Sequence, residues 1–209
     1  MNRRLSSVFF MFLITLVFAS GVTLVQRAHH NKIMANREAK LQKVILEVLN
    51  IPVASAINND ELALLFENSI TISQLSDRAL YTAFEPDDRT PRAYAFRVNG
   101  PGFWGPISAM VAVDAAASAI INIDFYQHRE TPGLGGRITE PWFKKQFADL
   151  VLDSGASPYF TRTPATLRKR PGELDAITGA TQTSRAIDAF LNRELDSIIK
   201  ELNTMKKKG

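Results

Sequence analysis

Asp175-Ala176-Ile177-Thr178-Gly179-Ala180-Thr181-Gln182-Thr183-Ser184 sets a short, hydroxyl-rich loop against the start of a helix. Beyond it, Ile187, Phe190, Leu191, Leu195, Ile198, Ile199 and Leu202 recur at spacings of three and four, as on one apolar helix face, with Arg193, Glu194, Lys200 and Glu201 among the polar remainder. The loop therefore sits at a helix N-terminus. Unpaired N–H groups and the positive end of the helix dipole favour an anion there, by a fraction of a kcal/mol to about 2 kcal/mol. Gly179 and Ala180 let a large group come close to the backbone. Thr181 or Thr183 also suits the ordinary role of an N-cap, its side-chain oxygen accepting a backbone hydrogen bond.

Two further glycine-rich loops favour a ligand site over a plain cap. Glu130-Thr131-Pro132-Gly133-Leu134-Gly135-Gly136 follows a strand-like run, and Gly100-Pro101-Gly102-Phe103-Trp104-Gly105-Pro106-Ile107 precedes one. With Asp-x-x-Thr-Gly-Ala-Thr-x-Thr-Ser at Asp175 to Ser184, these segments resemble the FMN-binding domain found in the G component of the Rnf-type ion-translocating electron-transport complex. The C component of the sodium-translocating NADH:quinone reductase shares that domain. The resemblance implies FMN joined through its phosphate to Thr181, by a flavin transferase that reads the segment from Asp175 to Thr181. It implies a cofactor site of Thr181, Thr178, Gly179, Ala180, Asp175, Glu130, Thr131, Gly133, Leu134, Gly135 and Trp104. It also implies membrane subunits as partners, and a single-pass protein of the bacterial inner membrane with its main domain in the periplasm. A phosphodiester keeps one negative charge, which a helix N-terminus accommodates well.

The composition agrees with a redox carrier. The chain of 209 residues contains no cysteine, which excludes disulfides, cysteine-ligated iron–sulfur clusters and c-type haem attachment, so electrons would need an organic cofactor. The net charge of +4 resides partly in clusters such as Lys206-Lys207-Lys208 and does not indicate nucleic-acid binding. Leu5 to Val25 is an uncharged run of about 21 residues, long enough at about 1.5 Å per residue to span a hydrocarbon layer of roughly 30 Å. It reads as a transmembrane anchor, with a cleavable signal peptide as the alternative. Arg3 and Arg4 precede it, but Arg27, Lys32, Arg37, Lys40 and Lys43 follow it, so charge bias alone does not orient it. His29 and His30 at the boundary suit interfacial solvation.

Residues 31 to about 50 read as a helix stopped by Pro52, Glu61 to Glu67 as a short helix, and Ile70 to Leu75 as a strand. Glu85-Pro86-Asp87-Asp88 reads as a turn. Arg92 to Val98 alternates as a strand, and Ile107 to Asp114 with Ala119 to Gln127 as a buried antiparallel hairpin. Phe103 and Trp104 fit either stacking on the flavin ring or plugging the core. His128, Asp124 and Glu130 carry metal-ligating side chains but lack a fourth partner, so a hydrogen-bonded polar site is preferred. Glu140 to Leu152 reads as an amphipathic helix with Trp142, Phe143, Phe147 and Leu150 inward. Ser154 to Pro158 reads as a loop, Thr166 to Lys169 as an edge strand and Pro171-Gly172 as a turn; the bases Arg168, Lys169, Arg170 and Arg185 fit a source of positive potential, the first three equally a solvated face. The expected protein is α+β: membrane anchor 1–27, helical stalk 28–52, and one FMN-binding domain 53–209 with a mainly antiparallel sheet flanked by helices. It would relay electrons within an ion-translocating oxidoreductase. A membrane-tethered sensor or scaffold that binds an anion without chemistry is the alternative. No nucleophile triad or acid–base pair suggests an independent hydrolase.

Overall fold

The computed structural model describes residues 3–85, 90–152, 158–163 and 172–207. The turn after Glu85, the loop 154–157, the edge strand at Thr166 to Lys169, the bases Arg168, Lys169 and Arg170, and Pro171 fall outside them. The chain forms two compact units, Met1–Leu41 and Gln42–Gly209.

Helix α1 runs from Arg3 to Val48 without a break and takes in both the expected anchor and most of the helix expected over residues 31 to about 50. Residues 26–30, Gln-Arg-Ala-His-His, contain neither glycine nor proline, so nothing there interrupts the backbone ladder. The helix is long and apolar enough to cross a membrane. Its large apolar side chains from Leu5 to Val25 are exposed, an arrangement suited to lipid. In the second unit its end is a Schellman motif: Asn50 takes φ 55°, its N–H donates to the Glu47 carbonyl at 3.1 Å, and the Ile51 N–H donates to the Leu46 carbonyl at 2.9 Å. Arg92 Nη2 donates to the Leu49 carbonyl at 2.9 Å.

Helix α2 (Asn59–Ser69) starts with a capping box in which Asn58 Oδ1 accepts from the Glu61 N–H and the Glu61 carboxylate accepts from the Asn58 N–H. A five-stranded antiparallel meander follows: β1 (Ile70–Leu75), β2 (Arg78–Phe84), β3 (Pro91–Pro101), β4 (Pro106–Asp114) and β5 (Ile120–Gln127). Every side chain from Ile107 to Val113 in β4 is buried, as its continuous apolar run requires of the sheet's interior. Between β4 and β5, Asp114 accepts from the Ser118 N–H and hydroxyl, both at 2.6 Å, and from the Ala119 N–H at 3.1 Å.

The expected helix Glu140 to Leu152 is mostly absent. A 3-10 turn (Gly135–Thr139) leads into α3, only Pro141–Lys145. The chain then turns through Asp149 at φ 60° and lies along the start of β5, with Asp149 N–H to Ile120 O at 2.8 Å and Ile120 N–H to Leu150 O at 3.0 Å. Pairing with the unfilled strand edge takes the backbone groups that another helical turn would have used. Phe143, Phe147 and Leu150 are nevertheless buried as expected, while Trp142 is only partly covered.

A two-stranded parallel sheet of β6 (Thr161–Thr163) and β7 (Glu173–Asp175) leads into α4 (Thr181–Lys206). All seven apolar residues expected on one face of α4 are buried. They pack on the sheet so closely that a Cβ on Gly100 of β3 would fall 2.0 Å from Phe190 Cγ. Gly100 therefore sets how near the helix lies to β3.

Candidate functional site

The three glycine-rich segments meet. Phe103, Trp104, Glu130, Thr131, Leu134, Gly135, Gly179, Ala180, Thr181, Gln182 and Thr183 line one cleft of about 410 Å³. That volume lies within the range of roughly 300–1,000 Å³ usual for cofactor and small-molecule sites. Of the residues named from sequence, Trp104, Glu130, Thr131, Leu134, Gly135, Gly179, Ala180 and Thr181 stand in this wall. Gly133, Thr178 and Asp175 lie outside the lining: Gly133 shapes the Pro132–Leu134 turn at φ +75°, Thr178 is exposed in the turn before α4, and Asp175 ends β7. Phe103, Gln182 and Thr183 are additional lining residues, each within two positions of one already named.

The start of α4 differs from a capped helix. Ala180 occupies the N-cap position with no side-chain hydrogen bond, so neither threonine serves as N-cap. The hydroxyls instead have separate fates. Ser184 Oγ is buried and accepts from the Ile177 N–H at 3.2 Å, and Thr183 Oγ1 is buried and donates to Glu130 Oε2 at 2.5 Å. Thr181, the first residue of the helix, is exposed and lines the cleft. Gly179 brings the loop in at φ +79°, a backbone conformation that strains other residues, and its missing Cβ would lie 3.0 Å from Leu134 Cδ2.

The mouth of the cleft carries aromatic rings. Phe103 and Trp104 are 55% and 65% exposed, so they are not core plugs, and they meet edge to face with centroids 5.0 Å apart. Their loop is closed by the Gly102 N–H donating to the Gly105 carbonyl at 2.8 Å.

The three residues considered for a metal are otherwise engaged. Asp124 pairs with Lys144 Nζ at 2.7 Å, His128 Nδ1 accepts from the Glu130 N–H at 3.2 Å, and the Glu130 carboxylate accepts from the Trp104 N–H and the Thr183 hydroxyl.

A support behind the loop was not visible in the sequence. Arg162 Nε lies 2.7 Å from Asp188 Oδ1 on α4, and Nη1 donates to the Asp175 carbonyl at 2.8 Å. The Asp175 N–H donates to Gln146 Oε1 at 2.5 Å, so the backbone on both sides of the loop's entry is held. The guanidinium also stands over the rings of Phe143, Phe147 and Phe160, at 4.7, 5.3 and 5.8 Å from their centroids. Burial lowers the Arg162 pKa against the pull of Asp188, and burial raises that of Asp188 against the pull of Arg162.

A larger, polar depression of about 580 Å³ borders Asn50, Glu67, Glu85 and Arg92. None of the three glycine-rich loops reaches it, and the apolar and aromatic surface that suits a flat ring system is found instead at the smaller cleft.

An antiparallel sheet carrying a glycine-lined, aromatic-rimmed cleft at an uncapped helix start defines an α+β domain built for an anionic small-molecule cofactor. Residues 102–196 match the FMN-binding domain family. It is similar to the G component of the ion-translocating oxidoreductase complex of Methanosarcina acetivorans, 33% identical over 105 residues, or 50% of each chain. It is also similar to the C component of the Na(+)-translocating NADH-quinone reductase of Yersinia pestis, 33% identical over 100 residues, or 46% of this chain and 36% of that one. The chain thus spans half or less of the length of these relatives. In structure it resembles the C component of the Na(+)-translocating NADH-quinone reductase from Parabacteroides distasonis, with TM-score 0.68 and 22% identity over 83% of this chain and 96% of that one. NqrC from Shewanella oneidensis gives TM-score 0.69 and 18% identity, over 83% of this chain and 99% of that one. These two likenesses concern the fold.

Proposed function

We propose that this protein is an electron-carrying flavoprotein subunit of a membrane-bound, ion-translocating oxidoreductase complex, with FMN joined by a phosphoester to Thr181. The observation that carries the covalent assignment is the state of the helix-start hydroxyls. Thr183 and Ser184 are buried in hydrogen bonds, Thr178 lies outside the cleft lining, and Thr181 is an exposed residue of that lining. The residues suit the cofactor. The uncapped first turn of α4 leaves N–H groups for a phosphate, the glycines keep side chains out of the cleft, and Trp104 and Phe103 offer ring faces and edges. FMN, once bound, supplies the redox chemistry; the protein supplies position and electrostatics.

A tether suits this task, because a carrier fixed to its cofactor does not lose it in a compartment with little free flavin. The attachment is made by a flavin transferase that reads Asp175 to Thr181. Helix α1 anchors the protein in a bacterial inner membrane with the FMN domain in the periplasm, beside membrane subunits resembling those of the Rnf and Na(+)-translocating complexes named above. In-gel flavin fluorescence of denatured protein, co-expressed with a flavin transferase, tests the assignment. A fluorescent wild-type band and a dark Thr181→Ala band are expected, with the variant's circular dichroism before denaturation matching wild type. Colourless wild type would favour an anion-binding sensor instead.

A further inference from the structure

The Glu130 side chain is a junction. The residue is only 4% exposed, and both carboxylate oxygens accept from protein donors: the Trp104 backbone N–H at 3.0 Å to Oε1 and the Thr183 hydroxyl at 2.5 Å to Oε2. Among the described residues it takes part in no ion pair. Three distant segments therefore converge on one side chain: the β3–β4 loop, the exit of β5 and the first turn of α4. The flanking glycines are fitted to it. A Cβ on Gly102 would lie 2.5 Å from Oε1, and one on Gly135 would lie 2.6 Å from both Oε2 and Thr183 Oγ1.

We propose, building on the FMN reading above, that Glu130 is a positioning residue that assembles the cleft and sets its charge, and is not a ligand of the cofactor. Its two oxygens are committed before any flavin arrives. By holding Trp104 it fixes the aromatic rim, and by occupying the Thr183 hydroxyl it leaves Thr181 as the reactive one. Both oxygens stand as acceptors, of the Trp104 N–H and the Thr183 hydroxyl, so the side chain sets an acidic group in the cleft wall whose charge Glu130→Gln removes. In a low-dielectric wall such a charge opposes electron gain by an adjacent flavin.

Two measurements test this on the full chain. With flavin loaded, Glu130→Gln keeps the shape and an acceptor oxygen but removes the charge, and its midpoint potential is expected to be more positive than that of wild type. Without flavin, in a Thr181→Ala, Trp142→Phe background, Trp104 is the sole tryptophan, since the chain has 2. There Glu130→Ala is expected to lower the fluorescence anisotropy of Trp104, and Glu130→Gln to restore it. Glu130→Leu, which fills the same space without an acceptor, replaces the alanine variant if that does not fold. Unchanged anisotropy in the alanine or leucine variant, or a potential in Glu130→Gln at or below wild type, would overturn the proposal. Wild type without flavin would instead sink the FMN reading, while the anisotropy result would still decide the positioning role.

Discussion

Four hydroxyls within seven residues, at Thr178, Thr181, Thr183 and Ser184, are told apart by where their backbone goes. The sequence made Thr181 legible because its motif is local, and Trp104 and Glu130 because each belongs to a glycine-rich loop. The buried bonds of Thr183 and Ser184 were not readable in sequence, since their partners Glu130 and Ile177 are defined only by the fold. Arg162 was invisible for the same reason: its carboxylate lies 26 residues away on α4 and its aromatic surround comes from three separate positions. Replacing Arg162 with Met leaves Asp188 largely buried and unpaired and frees the Asp175 carbonyl. Because Asp188 retains some exposure, a loss of about 3 kcal/mol, the low end for a broken buried pair, is expected in urea unfolding, together with reduced flavin loading. Gly135→Ala puts a methyl group 2.6 Å from two buried oxygens that cannot both move away. An overpacking cost of about 1–3 kcal/mol is expected by the same assay, with displacement of the Glu130–Thr183 pair.

At the scale of elements, strongly patterned segments were readable and context-dependent ones were not. Helix α4 and strands β1, β3, β4 and β5 followed from periodicity, whereas β2 went unrecognised. Its turn is Ser76-Asp77, with Ser76 at φ 53°, and lacks the glycine that marks most tight hairpins; its burial does not alternate cleanly. The Glu140 to Leu152 segment has a helical pattern, but its second half pairs with β5, a competition that no local pattern reveals. The β4–β5 turn carries a pH dependence. Burial disfavours the Asp114 charge, but hydrogen bonds from the Ser118 hydroxyl and from the Ser118 and Ala119 N–H groups outweigh it, with help from Lys206, and the pKa is lowered. The folded state therefore holds the proton less tightly than the unfolded chain. The turn's stabilisation is complete above the ordinary carboxylate value of about 3.9 and fades as pH falls through the lowered one. Asp114→Ala is expected to cost about 1 kcal/mol at pH 7, the modest value reflecting partial solvent exposure, and progressively less in urea titrations below about pH 4.

For the whole molecule, Leu5 to Val25 was read as a membrane span from its length and lack of charge, and the helix that contains it is long and apolar enough to cross a membrane. Wild type is expected in the membrane fraction after carbonate washing, and a chain lacking residues 1–25 in the soluble fraction; recovery of both in the soluble fraction would rule the anchor out. Protease added to intact spheroplasts should digest the FMN domain if it faces the periplasm and spare it otherwise. The most direct measurement is intact mass of natively expressed, denatured protein, followed by peptide mapping across Asp175 to Arg185. The expected result is an increase of one FMN less one water, localised to Thr181. An unmodified peptide from a host that has the transferase, or the same mass on Thr178 or Thr183, would contradict it.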